Sequence, residues 1–414
     1  MSHLSYLFGL EPIGIKFGLE NIRALLQSLG HPERAFATVH IAGTNGKGSV
    51  TAMVDAALRA SGRRSARYTS PHLVDIRERF VVDGRAVSPE ALDAAIAEVR
   101  AHIDALRAGG VLAVQPTFFE VTTAIAFELF RRAGVDIAVI EVGLGGRLDA
   151  TNVVAPAATA ITSIAIDHQQ YLGDTLRDIA AEKAGIIKRG VRVVVGRVDP
   201  EAGDVIERIA RERGAEVVRA WEGVTAQGVR LRTPAHDYGE IALSLPGAHQ
   251  IDNAVVAVRL LELLQVPAAA IVEGLTHTAW PGRLERRRLS GGREVLLDAA
   301  HNPAGAAALA SYLNAHEAGR LPLVFGAMRD KDVDGMFRVL LPTVSALVAT
   351  RASNARAADP GVLAERARTI AAELPIMVEP VPGDAVAAAW RLSPRIIVAG
   401  SIFLLGDVMR ELDR

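Results

Sequence analysis

Lys47 and Ser49 close the run Val39-His40-Ile41-Ala42-Gly43-Thr44-Asn45-Gly46-Lys47-Gly48-Ser49, which lies between an apolar stretch and an amphipathic one. Glycines tolerate positive φ, so successive backbone N–H groups there can turn toward one anion. A compact lysine amine can reach the β- and γ-phosphates of a nucleotide, and a serine hydroxyl can hold Mg²⁺. The apolar run 38–42 predicts the strand leading in. Residues 49–61, with Val50, Met53, Val54, Ala57 and Leu58 on one face, predict the helix leading out, whose dipole would add to the cradle. The match to a Walker A loop is a variant one. Ile41 takes the place of the first glycine, and Gly48 separates Lys47 from Ser49.

Glu141 ends the apolar run Asp136-Ile137-Ala138-Val139-Ile140-Glu141. A carboxylate at a strand end can hold the Mg²⁺ that bridges nucleotide phosphates. Ser70 and His168 follow two further expected strand ends, on the same sheet edge as Lys47. Mg²⁺ prefers oxygen and a lone histidine is more often structural, so chemistry alone does not assign His168. Lys183 falls in a short helical pattern opened by Thr175 and Asp178 and stopped by Gly185. It shares the apolar face of Leu176, Ile179 and Ala180. A desolvated amine there could act as a base, form a Schiff base or take up CO₂ as a carbamate. A packed stem with a wet head is the plainer alternative. Only five of the 46 basic residues are lysines (Lys16, Lys47, Lys183, Lys188, Lys331), which favours lysine where a compact amine is needed. Farther on, Asp298 at a strand end could accept from a ribose hydroxyl, while His301 and Asn302 could face phosphates. A helix cap by Asn302 is the alternative.

These residues need a scaffold of alternating strands and helices. Short apolar runs at 135–142, 160–166 and 191–196 read as strands, and 116–133, 176–184 and 252–264 as helices. The expected fold class is α/β: an N-terminal P-loop NTPase-like domain with a mostly parallel sheet, then a smaller Rossmann-like α/β domain. Residues 220–246 read as a small antiparallel insertion. The Pro/Gly/Arg stretch around Arg283 places a linker at 284–293, between domains at 1–283 and 294–414, with its LERRRL run reading as a solvated strand. With 46 Lys+Arg against 47 Asp+Glu, the net charge of -1 offers no bulk attraction for nucleic acid or an anionic membrane. No cysteine is present, which excludes a thiolate nucleophile or metal site. The N-terminal MSHLSYLFGL lacks a basic segment followed by an apolar one, so a signal peptide is not expected, nor a membrane span. A cytoplasmic monomer is the default expectation.

Nine segments in order carry a resemblance: AGTNGKGS, TSPHL, EVGLGGRLDATN, SIAIDHQQYLGDT, IAAEKAGI, DNAVVA, WPGRLE, DAAHNP and GAMRDKD, spanning 42–332. The chain resembles the folylpolyglutamate synthase/dihydrofolate synthase family of the Mur ligase superfamily, and the Asn45–Gly46–Lys47–Gly48 form of the loop resembles its folate ligases rather than the peptidoglycan ligases. The resemblance implies an ADP-forming ligase that activates a pterin-bound carboxylate as an acyl phosphate and joins it to L-glutamate. It implies that Thr44, Asn45, Gly46, Lys47, Gly48 and Ser49 bind ATP with Asn253, Arg283 and Asp298, and that His301 acts near the phosphates. It implies two Mg²⁺ at Ser49, Ser70, Glu141, His168 and a carbamylated Lys183. Thr117 and the implied pterin-binding residues Phe118, Phe119, Glu120, Leu148, Asp149 and Ala150 match the pterin site, which 15–19 would cover. The RLDATN form resembles members that act on both dihydropteroate and folate. A monofunctional enzyme, a ligase of cell-wall precursors, and an ATP-hydrolysing binding module are the competing readings. The length of 220–246 and the residues around 113–115 depart from some relatives.

Overall fold

The computed structural model describes residues 3–14, 16–227 and 230–413, and the chain divides into two compact units. The first comprises Met1–His72, Ile76–Ser244 and Ile251–Thr278; the second comprises Leu73–Asp75, Leu245–Gln250 and Ala279–Arg414.

An eight-stranded sheet carries the first unit. Its order is Arg85–Ala86, Phe80–Val82, Ser65–Tyr68, Ile137–Glu141, Ala37–Ala42, Ala158–Ile161, Val193–Val195, Val217–Arg219. Every neighbouring pair from Ser65–Tyr68 onward is parallel, and the two short strands at the other edge are antiparallel. Ile137–Glu141 is buried throughout and Ala37–Ala42 nearly so, because helices cover both faces. That is why they read as unbroken apolar runs. One core gathers Ile22, Leu25, Ile96, Val99, Phe127 and Phe130; another gathers Ile161, Ile179, Val195 and Ile206. The register Ile41↔Glu141, Tyr68↔Ile140 and Ala42↔Ile161 brings the chain after each of these strands to one sheet edge. Ligands of open α/β sheets bind at that carboxyl edge.

The expected strand over 160–166 is Ala158–Ile161 instead. Beyond it, Thr162 and Ser163 spend their hydroxyls on the Asn45 carbonyl, so the chain folds over the glycine loop rather than extending the ladder. The helix expected from Ser49 starts at Lys47, because Gly46 at φ 85° supplies the turn before it. Residues 220–246 contain a three-stranded antiparallel sheet, Thr225–Gln227, Arg230–Arg232 and Asp237–Glu240; Gly228 and Val229 lie outside the described residues. Tyr238 Oη donates to Glu262 Oε1 at 3.0 Å and ties this sheet to the helix Ala248–Leu263.

The second unit holds a six-stranded sheet ordered Glu285–Arg288, Glu294–Leu297, Arg395–Ala399, Leu321–Phe325, Val344–Ala349, Ile376–Val378. All pairs are parallel except the first. The expected linker at 284–293 is therefore corrected: it is an antiparallel edge strand and its turn. Arg286 pairs with Glu294 across the ladder and with Glu317, and Arg287 pairs with Glu285 and Asp413. A run of arginines reads as a linker only while those distant carboxylates are out of view. Among the described residues no helix is long and apolar enough to cross a membrane.

Candidate active site

Backbone contacts set the shape of the glycine loop. Gly43 has φ 153°, and a Cβ there would stand 1.9 Å from Thr162 Oγ1. Gly46 has φ 85°, and its Cβ would stand 2.2 Å from Asn253 Oδ1. Neither position admits another residue without moving its neighbour. Thr44 N donates to Ser163 O at 2.8 Å, and Asn45 N donates to Ser163 Oγ at 3.0 Å. Thr162 Oγ1 donates to Asn45 O at 2.6 Å. Thr44 Oγ1 donates to Ala165 O at 3.1 Å. The loop is thus tied to the neighbouring strand end before any ligand arrives. Lys47 Nζ donates to Gly43 O at 3.1 Å and to Thr44 O at 3.2 Å. Ser49, in the first helical turn, is buried.

Lys183 Nζ donates to the same Gly43 carbonyl at 3.0 Å, and its side chain is only 5% exposed. The wet-headed alternative is thereby set aside. Its helix, Leu176–Ala184, opens on Thr175, whose hydroxyl accepts from Asp178 N. Close backbone packing fixes the helix against the turn 143–153. A Cβ on Gly185 would stand 2.4 Å from Arg147 Cα, and one on Gly146 would stand 2.8 Å from Glu182 O. Arg147 adds an ion pair to Glu182 at 2.7 Å.

Glu141 ends its strand with a buried carboxylate, which accepts from Ser70 N at 3.2 Å. His168 lies beyond its strand in a left-handed turn at φ 52°, and Asp167 Oδ1 accepts its backbone N–H at 2.9 Å. Asp167, close to buried and 3.9 Å from His168 Nε2, is a carboxylate that sequence reasoning missed. Among the described residues no three His, Cys, Asp or Glu side chains gather into a metal-binding group. The donors at hand are a serine hydroxyl and the Glu141 carboxylate. That set suits Mg²⁺, which commonly rests on one or two carboxylates plus substrate phosphates.

The expected pterin residues lie at the start of the helix Phe118–Ala133 and in the turn 143–153. Thr117 and Glu120 make a capping box for the helix Phe118–Ala133. Glu120 Oε2 accepts from Thr117 N at 2.7 Å, while its buried Oε1 has no hydrogen-bond partner among the described residues. Phe118 stacks on Phe8 at 6.2 Å, and the Arg79 guanidinium lies 5.1 Å from the Phe118 ring. Phe119 occupies the space a Gly143 side chain would need. Burial pulls the Arg79 pKa down, and its Nε donates to His72 Nδ1 at 3.0 Å. Sequence reasoning missed Arg79. In a chain that writes nearly every cation as arginine, only burial singles it out. Leu148 is half-buried and Ala150 buried. Asp149 is buried, accepts from Leu144 N at 2.8 Å, Thr151 N at 3.0 Å and Thr151 Oγ1, and has its pKa raised by burial. Phe17 touches Tyr171, ring centroids 6.1 Å apart. Of the expected cover, Ile15 lies outside the described residues.

In the second unit, Asp298 accepts from Leu284 N and Ala300 N, both at 2.9 Å. Burial raises its pKa and Arg283 opposes that shift. Both carboxylate oxygens therefore already brace the turn. His301 Nδ1 donates to Ala299 O at 2.8 Å, which sets its tautomer. Asn302 caps the helix Pro303–His316 through Gly305 N, the plainer of its two expectations. His249, which sequence reasoning missed, has its pKa lowered to about 4 by burial and by Arg283.

Residues 105–261 match the Mur ligase middle domain, and 282–402 match the Mur ligase glutamate ligase domain. The dihydrofolate synthase/folylpolyglutamate synthase of Mycobacterium tuberculosis is 41% identical over 375 residues, covering 84% of this chain and 76% of the relative. The chain belongs to the folylpolyglutamate synthase/dihydrofolate synthase family of Mur ligases. A second family member, the probable bifunctional folylpolyglutamate synthase/dihydropteroate synthase of Haloferax volcanii, is 39% identical over 431 residues. That match takes in 98% of this chain but 49% of the relative, so the chain spans about half its length. Among solved members, the folylpolyglutamate synthase of Mycobacterium tuberculosis complexed with ADP is 36% identical with a TM-score of 0.93, covering 100% of this chain and 99% of that one. The bifunctional enzyme of Yersinia pestis, complexed with AMPPNP and a Mn ion, is 30% identical with a TM-score of 0.87, covering 99% and 97%.

Proposed function

We propose that the chain is an ATP-dependent ligase that joins L-glutamate to a pterin-bound carboxylate, accepting both dihydropteroate and tetrahydrofolate. The observation that carries this reading is the convergence of Lys47 and the buried Lys183 on the Gly43 carbonyl, in a loop at the sheet edge that also receives Glu141 and Ser70. Hydrolysis of ATP alone needs no second buried lysine, and the relatives bound to ADP or AMPPNP support a nucleotide at this loop.

Residues 44–49 cradle the β- and γ-phosphates, with the backbone N–H groups of residues 46–49 at the helix start donating, and Lys47 leaves the loop carbonyls to offset charge on the transferred phosphoryl group. A carboxylate oxygen of the pterin substrate attacks the γ-phosphorus, and the bond to the bridging oxygen breaks to release ADP. The glutamate amine, having lost its proton, attacks the acyl carbon, and the tetrahedral intermediate expels inorganic phosphate. The chain contributes position and charge, which is most of what such a reaction requires. Two Mg²⁺, when bound, neutralise phosphate charge. Ser49, Ser70, Glu141 and His168 would hold them, with Lys183 as its carbamate, an anionic oxygen ligand. The aromatic wall of Phe118 and Phe119, the unsatisfied Glu120 Oε1 and the Leu148–Asp149–Ala150 turn suit a flat, hydrogen-bonding heterocycle. By resemblance, residues 15–19 would cover it. Asn253, Arg283, Asp298 and His301 keep the nucleotide roles assigned by resemblance. The first unit would form the ATP-binding domain and the second the glutamate ligase domain of a cytoplasmic monomer.

The test is phosphate release from ATP with Mg²⁺ and L-glutamate, run separately with dihydropteroate and tetrahydrofolate. Release with both is expected. Release with one alone makes the enzyme monofunctional, and release with neither overturns the folate assignment.

A further inference from the structure

His40 is fully buried in the central strand, three residues before the glycine loop, yet its side chain meets Thr151 beside the 148–150 turn. Its Nε2 lies 2.8 Å from Thr151 Oγ1. The Thr151 hydroxyl donates to Asp149 Oδ1, which also accepts the Thr151 backbone N–H. A hydroxyl has one proton, and Asp149 takes it, so Thr151 accepts from His40. The imidazole must then carry its proton on Nε2. Its Nδ1 is buried with no hydrogen-bond partner among the described residues. Burial and the Lys188 cation lower the His40 pKa to about 3, so the ring is neutral at ordinary pH. A phenylalanine would fill such a site without an unpaired nitrogen, and the histidine is therefore informative about what the site demands.

We infer that His40 is a positioning residue for the pterin substrate, its Nε2–H setting the Thr151 hydroxyl and through it the Asp149 carboxylate. The inference rests on the reading of the 148–150 turn as pterin-binding. The far side of the same turn is pinned too: Lys188 Nζ donates to Asn152 O at 2.7 Å and to Asn152 Oδ1 at 2.8 Å. Asn152 Nδ2 in turn donates to Arg147 O and Gly185 O. Polar contacts of fixed direction hold this turn from both sides, whereas apolar packing would leave it free to slide.

Steady-state kinetics of wild type, His40→Phe, Thr151→Val and His40→Gln test it, with KM measured for dihydropteroate and for ATP. His40→Phe and Thr151→Val should each raise the pterin KM about tenfold, the size of one lost buried hydrogen bond, and leave the ATP KM within about twofold. The pair together should do little more than either alone. His40→Gln, whose amide keeps a donor at the same reach, should recover most of the loss. Equal shifts in both KM values, or none, would overturn the role while leaving the ligase reading intact. A wild type without pterin-dependent turnover would defeat the ligase reading, and the inference with it. Nitrogen NMR of the His40 ring in the folded protein reads the chain directly: the Nε2–H tautomer is expected, and the Nδ1–H tautomer would overturn it.

Discussion

Single residues here owe their chemistry to burial. Lys183 is the clearest case, since its amine sits on the Gly43 carbonyl instead of in water. Lys183→Ala should lower ligase turnover by about a hundredfold or more, the usual effect of deleting one charge-stabilising group. ATP should still bind, because the loop is held by Thr162 and Ser163. Turnover at the wild-type level with ATP bound would remove Lys183 from the site. His40 and His249 make a pH prediction. Their folded pKa values are about 3 and about 4, against an ordinary histidine value of 6.5. Between those limits the unfolded chain binds more protons, so stability rises with pH. It is fully present above 6.5 and is lost as the pH falls toward 4 and 3. Urea titrations across that range should show the slope, and His40→Phe should flatten it.

Elements reach the site through backbone contacts that leave no room for a side chain. The helix Leu176–Ala184 meets the turn 143–153 where a Gly185 Cβ would stand 2.3 Å from Arg147 Cβ. Gly185→Ala should cost the first unit about 1 to 3 kcal/mol in denaturant unfolding, as overpacking does, and lower activity through both Lys183 and Asp149. Unchanged stability would show that the turn yields easily. This scale also decides what was legible in the sequence. The places of Lys47, Ser49, Glu141 and Lys183 on their elements were readable because each lies within its own short window of strand, loop or helix periodicity. Arg79 was not, because its partner Phe118 and its burial are set by chain far away. The strand Glu285–Arg288 was readable as a strand in LERRRL, but its place in the second sheet rather than in a linker was not, because Glu294, Glu317 and Asp413 supply its counter-charges from outside that run. The strand end at Ile161 was misplaced because Thr162 and Ser163 answer to Asn45 rather than to a neighbouring strand.

At the scale of the whole chain, two mostly parallel sheets, each with its own core, account for the two family domains found in order along it. Their fold was readable from alternating strands and helices, and their family from the nine motifs. The chemistry proposed for the chain requires that ATP activate the pterin carboxylate rather than simply be hydrolysed. Lys47→Ala should depress that step about a hundredfold to a thousandfold at saturating ATP. The direct measurement uses dihydropteroate with a heavy oxygen isotope in its carboxylate, turned over with ATP, Mg²⁺ and L-glutamate. The account predicts one heavy oxygen in each phosphate released, because the acyl phosphate passes a carboxylate oxygen to phosphorus. Phosphate without the heavy label, its fourth oxygen drawn from water, would contradict it.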